Sequence, residues 1–110
     1  MKPLHKIDKK AVELALQAYH GQKAYIHAEV IPGGFLRNIS VQIIQTYIAG
    51  DGPYRIALRT ENEGWIRMEN LTDYEIDEQG RLLIAGHDDQ GRIMTAFELS
   101  LKPFLFSKEV

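Results

Sequence analysis

The fold of this chain is decided by residues 22–48, which read QKAYIHAEVIPGGFLRNISVQIIQTYI. In the first part of this stretch apolar side chains occupy every second position, at Ala24, Ile26, Ala28 and Val30. A period of two is typical of a half-buried β-strand, because successive side chains point to opposite faces. After a break at residues 32–34, residues 35–48 predict a long strand. Its apolar positions change parity between Ile43 and Ile44, which predicts a β-bulge or burial on both faces.

Short alternating segments continue from there to residue 100. They are separated by turn sequences rich in Gly, Asp and Asn, at residues 50–53, 61–64, 77–80 and 86–91. Parallel pairing would need long crossovers between the strands, and no intervening segment has the period of a helix. The strands are therefore predicted to pair in the antiparallel direction.

Upstream of residue 22 the apolar period is that of a helix, predicted at about residues 9–20. Asp8 is placed to cap its N-terminus, and Gly21 is placed to follow its last turn. The sequence thus predicts a single domain over residues 1–110 that is mainly β with one N-terminal α-helix. Its strands are expected to form an antiparallel barrel or a two-sheet arrangement.

The composition excludes several classes of protein. An apolar fraction of 45% in 110 residues allows one domain with a core that needs no disulfide bonds. With no cysteine, the chain cannot hold a thiolate zinc site or use a cysteine nucleophile. We expect a cytoplasmic protein, because the N-terminus lacks the apolar segment of a signal peptide and no stretch could span a membrane. The mixed charges, with a net charge of −2, argue against nucleic acid as the main partner.

The residues with the richest chemistry are His87, Asp88 and Asp89, since histidine and carboxylates together bind metal ions or share protons. The two aspartates also suit a hairpin turn that has no function. His27 and Glu29 lie two residues apart on one strand face and could supply two ligands of a metal site, or simply a solvated face. A shared site would require His27, Glu29 and His87 to meet on adjacent strands.

Arg55 and Arg59 share one face of a strand and could bind the carboxylate or phosphate of a ligand through paired hydrogen bonds. Acidic residues close in sequence could instead pair with them across strands. At the C-terminus, Phe104, Leu105 and Phe106 would each lose about 1.5–3 kcal/mol of hydrophobic stabilisation if left in water. This apolar tail is expected to dock on its own domain or on a second subunit, and we predict a homodimer.

Three strings stand in a specific order and spacing: GDGPYR at residues 50–55, EGW at 63–65 and GRLLIAGHD at 80–88. Over nearly the whole chain they resemble the YojF-like family of uncharacterised Bacillus proteins. The resemblance implies a small, mainly β, cytoplasmic protein of unknown function, without established catalytic residues. It also implies a link to bacillithiol metabolism, with a deacetylase of that pathway as a protein partner.

The residues yield no convincing catalytic set, and we predict no cofactor. The leading hypothesis is a non-enzymatic binding or accessory protein that acts as a homodimer. One alternative is a small metal-dependent enzyme or ligand-binding barrel that uses His27, Glu29 and His87. Another is a protein that binds single-stranded nucleic acid on aromatic side chains beside arginines.

Overall fold

The computed structural model describes residues 4–104 of the chain. In order its elements are β1 (His5–Lys6), α1 (Lys9–Gln17), β2 (Lys23–Val30), β3 (Gly34–Gly50), β4 (Tyr54–Thr60), a 3-10 turn (Glu61–Glu63), β5 (Gly64–Leu71), β6 (Asp73–Ile76), β7 (Leu82–His87) and β8 (Ile93–Ser100). The prediction of a mainly β protein with an N-terminal helix is confirmed. β1 is not among the predicted strands, because two residues are too few to show a period.

The eight strands form one sheet in the order β1-β6-β7-β8-β2-β3-β4-β5, and every neighbouring pair is antiparallel as predicted. Of the two arrangements considered, a barrel or two sheets, the barrel is not formed, since the sheet does not close within residues 4–104. The two edge strands do not pair with each other. β1 has only two residues, and β5 pairs with β4 alone among the described strands. The sheet nevertheless curls until β5 lies against β7.

β3 joins the two halves of the sheet. Its first part pairs with β2, and from Ile43 onward it pairs with β4. A straight strand of its 17 residues would be about 53 Å long, whereas the molecule extends 36 Å at most, so β3 is bent. A shift of pairing between Ile43 and Gln45 confirms the predicted bulge, a feature that bends strands. One shared, bent strand takes the place of two separate sheets.

α1 begins where predicted and ends three residues earlier. Asp8 caps it, since its carboxylate accepts a hydrogen bond from the backbone N–H of Ala11 at 3.2 Å. The N–H groups of residues 18–20 donate to carbonyl oxygens three residues back, so the chain tightens out of α-helical geometry. Gly21 follows with a φ of +74°, the left-handed conformation expected after a helix.

The core lies between α1 and the inner face of the sheet. Its largest fully buried side chains are Phe97, Leu16, Ile26, Ile43, Ile56, Leu58, Leu71, Leu82, Ile84, Leu99 and Val12. Tyr19 adds a buried ring whose hydroxyl donates to the carbonyl oxygen of Leu99 at 2.9 Å, which ties the end of the helix to β8. Between residues 4 and 104 no helix is long and apolar enough to cross a membrane.

Two turns are built by the same sequence pattern, Asp-x-Gln-Gly-Arg. The first starts at Asp77, between β6 and β7, and the second at Asp88, between β7 and β8. In each, the carboxylate accepts from the backbone N–H groups two and four residues later and also pairs with the arginine side chain. Gly80 and Gly91 both have a φ of +79°, which suits glycine. β7 is therefore held at both ends by the same kind of turn.

Candidate functional site

A large open groove lies beside the C-terminal end of β7, with a volume of about 1150 Å³. Its apolar lining includes Leu4, Pro53, Ile93 and Met94. Its polar lining includes Lys6, Asn70, Thr72, Asp73, His87, Asp88, Asp89 and Thr95. These residues meet because β1 pairs with β6, β6 with β7, and β7 with β8. We call this feature the His87 groove.

His87 is held in the groove by Asp73. Nδ1 of the imidazole lies 2.8 Å from Oδ1 of the carboxylate, which is a hydrogen bond. An ionised carboxylate only accepts, so Nδ1 carries the proton and Nε2 remains available for other contacts. The side chain of His87 is 25% exposed and that of Asp73 is 12% exposed. The imidazole can therefore be reached from the groove, while its partner is sheltered.

Thr72 holds the same pair from the side. Its hydroxyl donates to Oδ1 of Asp73 at 2.5 Å and accepts from the backbone N–H of His87 at 3.0 Å. Its backbone N–H donates to the carbonyl of Ala85 at 2.8 Å, and its carbonyl accepts from the N–H of Ile7 at 3.0 Å. These two hydrogen bonds fix the Thr72 backbone to β7 and to the segment after β1. The Thr72 hydroxyl is therefore held in place beside Asp73 and His87.

Electrostatics keep Asp73 charged. Burial is the largest effect on its pKa and raises it, but the hydrogen bonds from Thr72 and His87 and the charge of Lys6 outweigh burial. The pKa of the Asp73 carboxyl therefore lies below its ordinary value of 3.8. Nζ of Lys6 lies 3.8 Å from Oδ2 of Asp73 on a side chain that is 86% exposed, so the hydrogen bonds matter more than this ion pair.

The predicted cluster of His87, Asp88 and Asp89 lines the groove, but its members differ in what they can do. The carboxylate of Asp88 is engaged in its own turn. A hydrogen bond from the backbone N–H of Arg92 is the main reason that the pKa of Asp88 is lowered. Asp88 therefore acts as a turn residue in this structure, while His87 faces the groove with Asp89 at its rim.

The structure does not bring His27, Glu29 and His87 together. His27 lies in the middle of β2 and His87 at the end of β7, with β8 between these strands. The ring of His27 meets the rings of Phe35 and Phe104 nearly edge-on, with centroid distances of 5.4 and 6.2 Å. Within the described part of the chain, no three histidine or acidic side chains are grouped so that they could hold a metal ion.

Arg55 and Arg59 lie on β4, on the outer face of the sheet, and both are exposed. The expected pairing across strands is not seen for them; an acidic partner is found instead for Arg67, whose Nε lies 2.8 Å from a carboxylate oxygen of Glu69 on the same strand, β5. Among residues 4–104, neither Arg55 nor Arg59 forms an ion pair. Neither arginine lines the His87 groove.

The start of the apolar tail docks on its own domain. Phe104 is 6% exposed, and its backbone forms two hydrogen bonds with the side chain of Asn38 on β3. The guanidinium of Arg81 lies 5.7 Å from the centre of the Phe104 ring. The rest of the predicted tail, Leu105 and Phe106, lies outside the described residues.

Sequence reasoning missed Thr72, Asp73 and Lys6 as parts of the site. A signal for the first two existed in the hairpin between β6 and β7. Counting strand pairs outward from the turn at residues 77–81 places His87 level with the residues that immediately precede Asp73. Lys6 had no comparable signal, because β1 reaches β6 only through tertiary pairing.

The chain is similar to one protein family and to a protein of known structure. The family model DUF1806, described as a protein of unknown function, matches residues 30–104, a range that includes Asp73 and His87. The "Uncharacterized protein YojF" of Bacillus subtilis (strain 168) is 39% identical over 112 residues, which is 89% of this chain and 96% of that protein. The crystal structure of Bacillus subtilis YojF matches with a TM-score of 0.87 at 39% identity, over 96% of this chain and 100% of that one.

Proposed function

This chain belongs to the DUF1806 family of proteins of unknown function, and from that premise we propose that it is a non-enzymatic binding protein. Its ligand lies in the His87 groove. The observation that carries the proposal is the imidazole of His87, oriented by Asp73 and reachable from an open groove. Pre-oriented polar groups among apolar walls are the usual composition of a ligand site.

The groove favours a small molecule with a hydrogen-bond donor and an apolar part. In the tautomer whose Nδ1 proton is donated to Asp73, Nε2 is an acceptor, so it suits a hydroxyl or amino group. Asp89 at the rim adds negative charge, which suits an amine. The side chains of Ile93 and Met94 are exposed along the groove and can cover the apolar part of the ligand.

The position of Thr72 supports binding over catalysis. An Asp–His pair activates a nucleophile when a hydroxyl or thiol lies within reach of the histidine. Here the Thr72 hydroxyl already donates to Asp73 and sits on the Nδ1 side of the ring. It therefore serves to fix the pair, and the free Nε2 is left for a ligand.

Histidine NMR tests this proposal directly. In protein labelled with ¹⁵N-histidine, a set of small amino alcohols and diols led by 2-aminocyclohexanol should shift the Nε2 resonance of His87. Cyclohexanecarboxylate, which offers an acceptor instead of a donor, should not. His87→Phe should abolish binding, and His5→Phe on β1 serves as the control. The proposal is wrong if no member of the set moves the His87 resonance, or if all histidines shift equally.

A second candidate function, the homodimeric accessory protein, is favoured by a sheet edge that no other strand of residues 4–104 covers. Residues 34–42 of β3 pair with β2 on one side, while β4 pairs only from Ile43 onward. Large apolar side chains are exposed along this edge, with Phe35 at 53%, Leu36 at 44% and Ile39 at 45%. An exposed apolar edge is a template for another strand, and a two-fold axis would match it with its own copy.

The mass in solution tests this second candidate. We expect twice the 12.6 kDa of one chain by size-exclusion chromatography with light scattering. The double change Leu36→Lys and Ile39→Lys should give a monomer. Leu14→Lys, which alters an exposed leucine on α1, should leave the dimer intact. A parent protein that stays monomeric at every concentration would contradict the candidate.

The partner of such a dimer is proposed from the family resemblance, as a cytoplasmic deacetylase of bacillithiol synthesis. The proposal predicts that the two purified proteins elute together at a mass above that of either one. Separate elution of the two proteins at high concentration would count against this partner and would leave the dimer itself untouched.

A further inference from the structure

The outer face of β3, β4 and β5 carries a second site, away from the His87 groove. Its centre is Ala57 on β4, which lies opposite Tyr47 on β3 and Arg67 on β5. Along β4, Ala57 is flanked on the same face by Arg55 and Arg59. A shallow pocket of about 250 Å³ opens above it. We call this surface, with Trp65, the aromatic–arginine face.

Two aromatic rings meet across the middle strand of this face. Tyr47 and Trp65 belong to strands that are not neighbours, yet their ring centroids are 5.8 Å apart and their planes differ by 30°. They can meet above β4 because Ala57 projects only a methyl group between them. Both rings stay exposed, Tyr47 at 45% and Trp65 at 58%. The pair is therefore a platform on the surface and not part of the core.

Arginines lie beside the platform on β4 and β5. Arg67 forms an ion pair with Glu69. Arg55 and Arg59 have no acidic partner among residues 4–104, and both are exposed. Arg59 lies directly opposite Trp65 in the strand pairing. Arginine recognises phosphate through paired hydrogen bonds, and exposed aromatic rings stack on planar bases.

We infer that the aromatic–arginine face binds a nucleotide, either free or within a single strand, with its base stacked on Trp65 and its phosphate at Arg55 and Arg59. The pocket volume suits one ring system. The net charge of the whole chain, −2, supplies no general attraction to a polyanion, so stacking has to contribute most of the affinity. Two phosphate contacts to a single strand predict a slope of about −1.4 for log affinity against log salt concentration.

Trp65 is the only tryptophan of the chain, so its fluorescence reports on this face alone. Four probes separate the explanations: the oligonucleotide dT8, deoxythymidine monophosphate, tripolyphosphate and hexaglutamate. Saturable quenching by dT8 and the monophosphate identifies a general nucleotide site, and quenching by dT8 alone identifies a single-strand site. Either result supports the inference. No quenching by dT8, or an equal response to tripolyphosphate or hexaglutamate, overturns it.

Matched variants test the roles of the arginines and of the stack. The double change Arg55→Ala and Arg59→Ala should weaken dT8 binding at least tenfold and flatten the salt dependence. Lys10→Ala with Lys23→Ala removes the same charge from two exposed positions elsewhere and should change neither. Tyr47→Ala should weaken binding without altering the salt slope. If the lysine control weakens binding as much as the arginine change, the face is not the site.

Discussion

The side chain of Asn38 and the backbone of Phe104 bind each other as two paired strands would. The backbone N–H of Phe104 donates to Oδ1 of Asn38 at 3.0 Å, and Nδ2 of Asn38 donates to the carbonyl of Phe104 at 3.2 Å. Asn38 has a φ of +58° and lies where the pairing of β3 with β2 shifts. A bulge residue thus anchors the chain after β8.

Asn38→Ala should destabilise the protein by about 2–3 kcal/mol. Two hydrogen bonds are worth about 0.5–1.5 kcal/mol each, and alanine tolerates the left-handed backbone less well than asparagine. Asn70→Ala is the matched control, because Asn70 has a φ of +59° and makes no side-chain hydrogen bond within residues 4–104. Urea unfolding of both variants should show the larger loss at Asn38. Equal losses would mean that only backbone strain matters.

Acid should weaken the protein through Asp73. Its folded pKa is lowered, so its contribution to stability is fully present above the unfolded value, near 3.8, and is lost as the pH falls through the folded pKa. Asp73→Asn removes this contribution. Parent and variant should differ most in unfolding free energy at neutral pH, and the difference should shrink at pH values below 3.8. A difference that stays constant with pH would contradict the assignment.

Gly86→Ala should be strongly destabilising, by about 1–3 kcal/mol or more. A Cβ at Gly86 would collide with the backbone carbonyl oxygen of Asn70, which cannot move without disturbing β5. Gly33→Ala is the control, since nothing lies within 4 Å of a Cβ there and its φ is not positive. Thermal unfolding should separate the two variants clearly. Similar melting temperatures would mean that the chain at Asn70 relaxes.

The twin turns should respond unequally to the same change. Asp77→Ala and Asp88→Ala each remove two backbone hydrogen bonds and one arginine contact. Asp77 pairs with an arginine side chain that is 31% exposed, whereas the arginine of Asp88 is 69% exposed, so solvent compensates more at Asp88. Urea unfolding should show the larger loss for Asp77→Ala, and the reverse order would contradict this reasoning.

The local features of this fold could be predicted from sequence. A period of two located the strands, and the parity change located the bulge near Ile43, because both depend on neighbours along the chain. The last turn of the helix could not be placed in this way. Tyr19 continues the apolar stripe of the helix in sequence, but its hydroxyl donates a hydrogen bond to the carbonyl oxygen of Leu99 on β8. That contact is tertiary, so the helical period does not reveal it.

Only part of the candidate site could be predicted, because some of its residues come together through tertiary contacts. His87 stands out by its chemistry, whereas Asp73 looks like an ordinary polar residue until the pairing of β6 with β7 brings it to the imidazole. His27 and Glu29 share a strand face as expected, but nothing in their spacing indicates how far β2 lies from the end of β7. Whether the sheet closes could not be predicted either. Closure depends on whether the edge strands β1 and β5 meet, and the period of the sequence contains no information about that contact.

The place of β8 within the strand order has a consequence for biosynthesis. β8 sits between β7 and β2, so among residues 4–104 the last strand to be synthesised is the one that pairs β1, β6 and β7 with β2, β3, β4 and β5 in one sheet. Until then one edge of β7 and one edge of β2 lack the strand that pairs with both, and a chain truncated before residue 93 would leave these two edges unpaired.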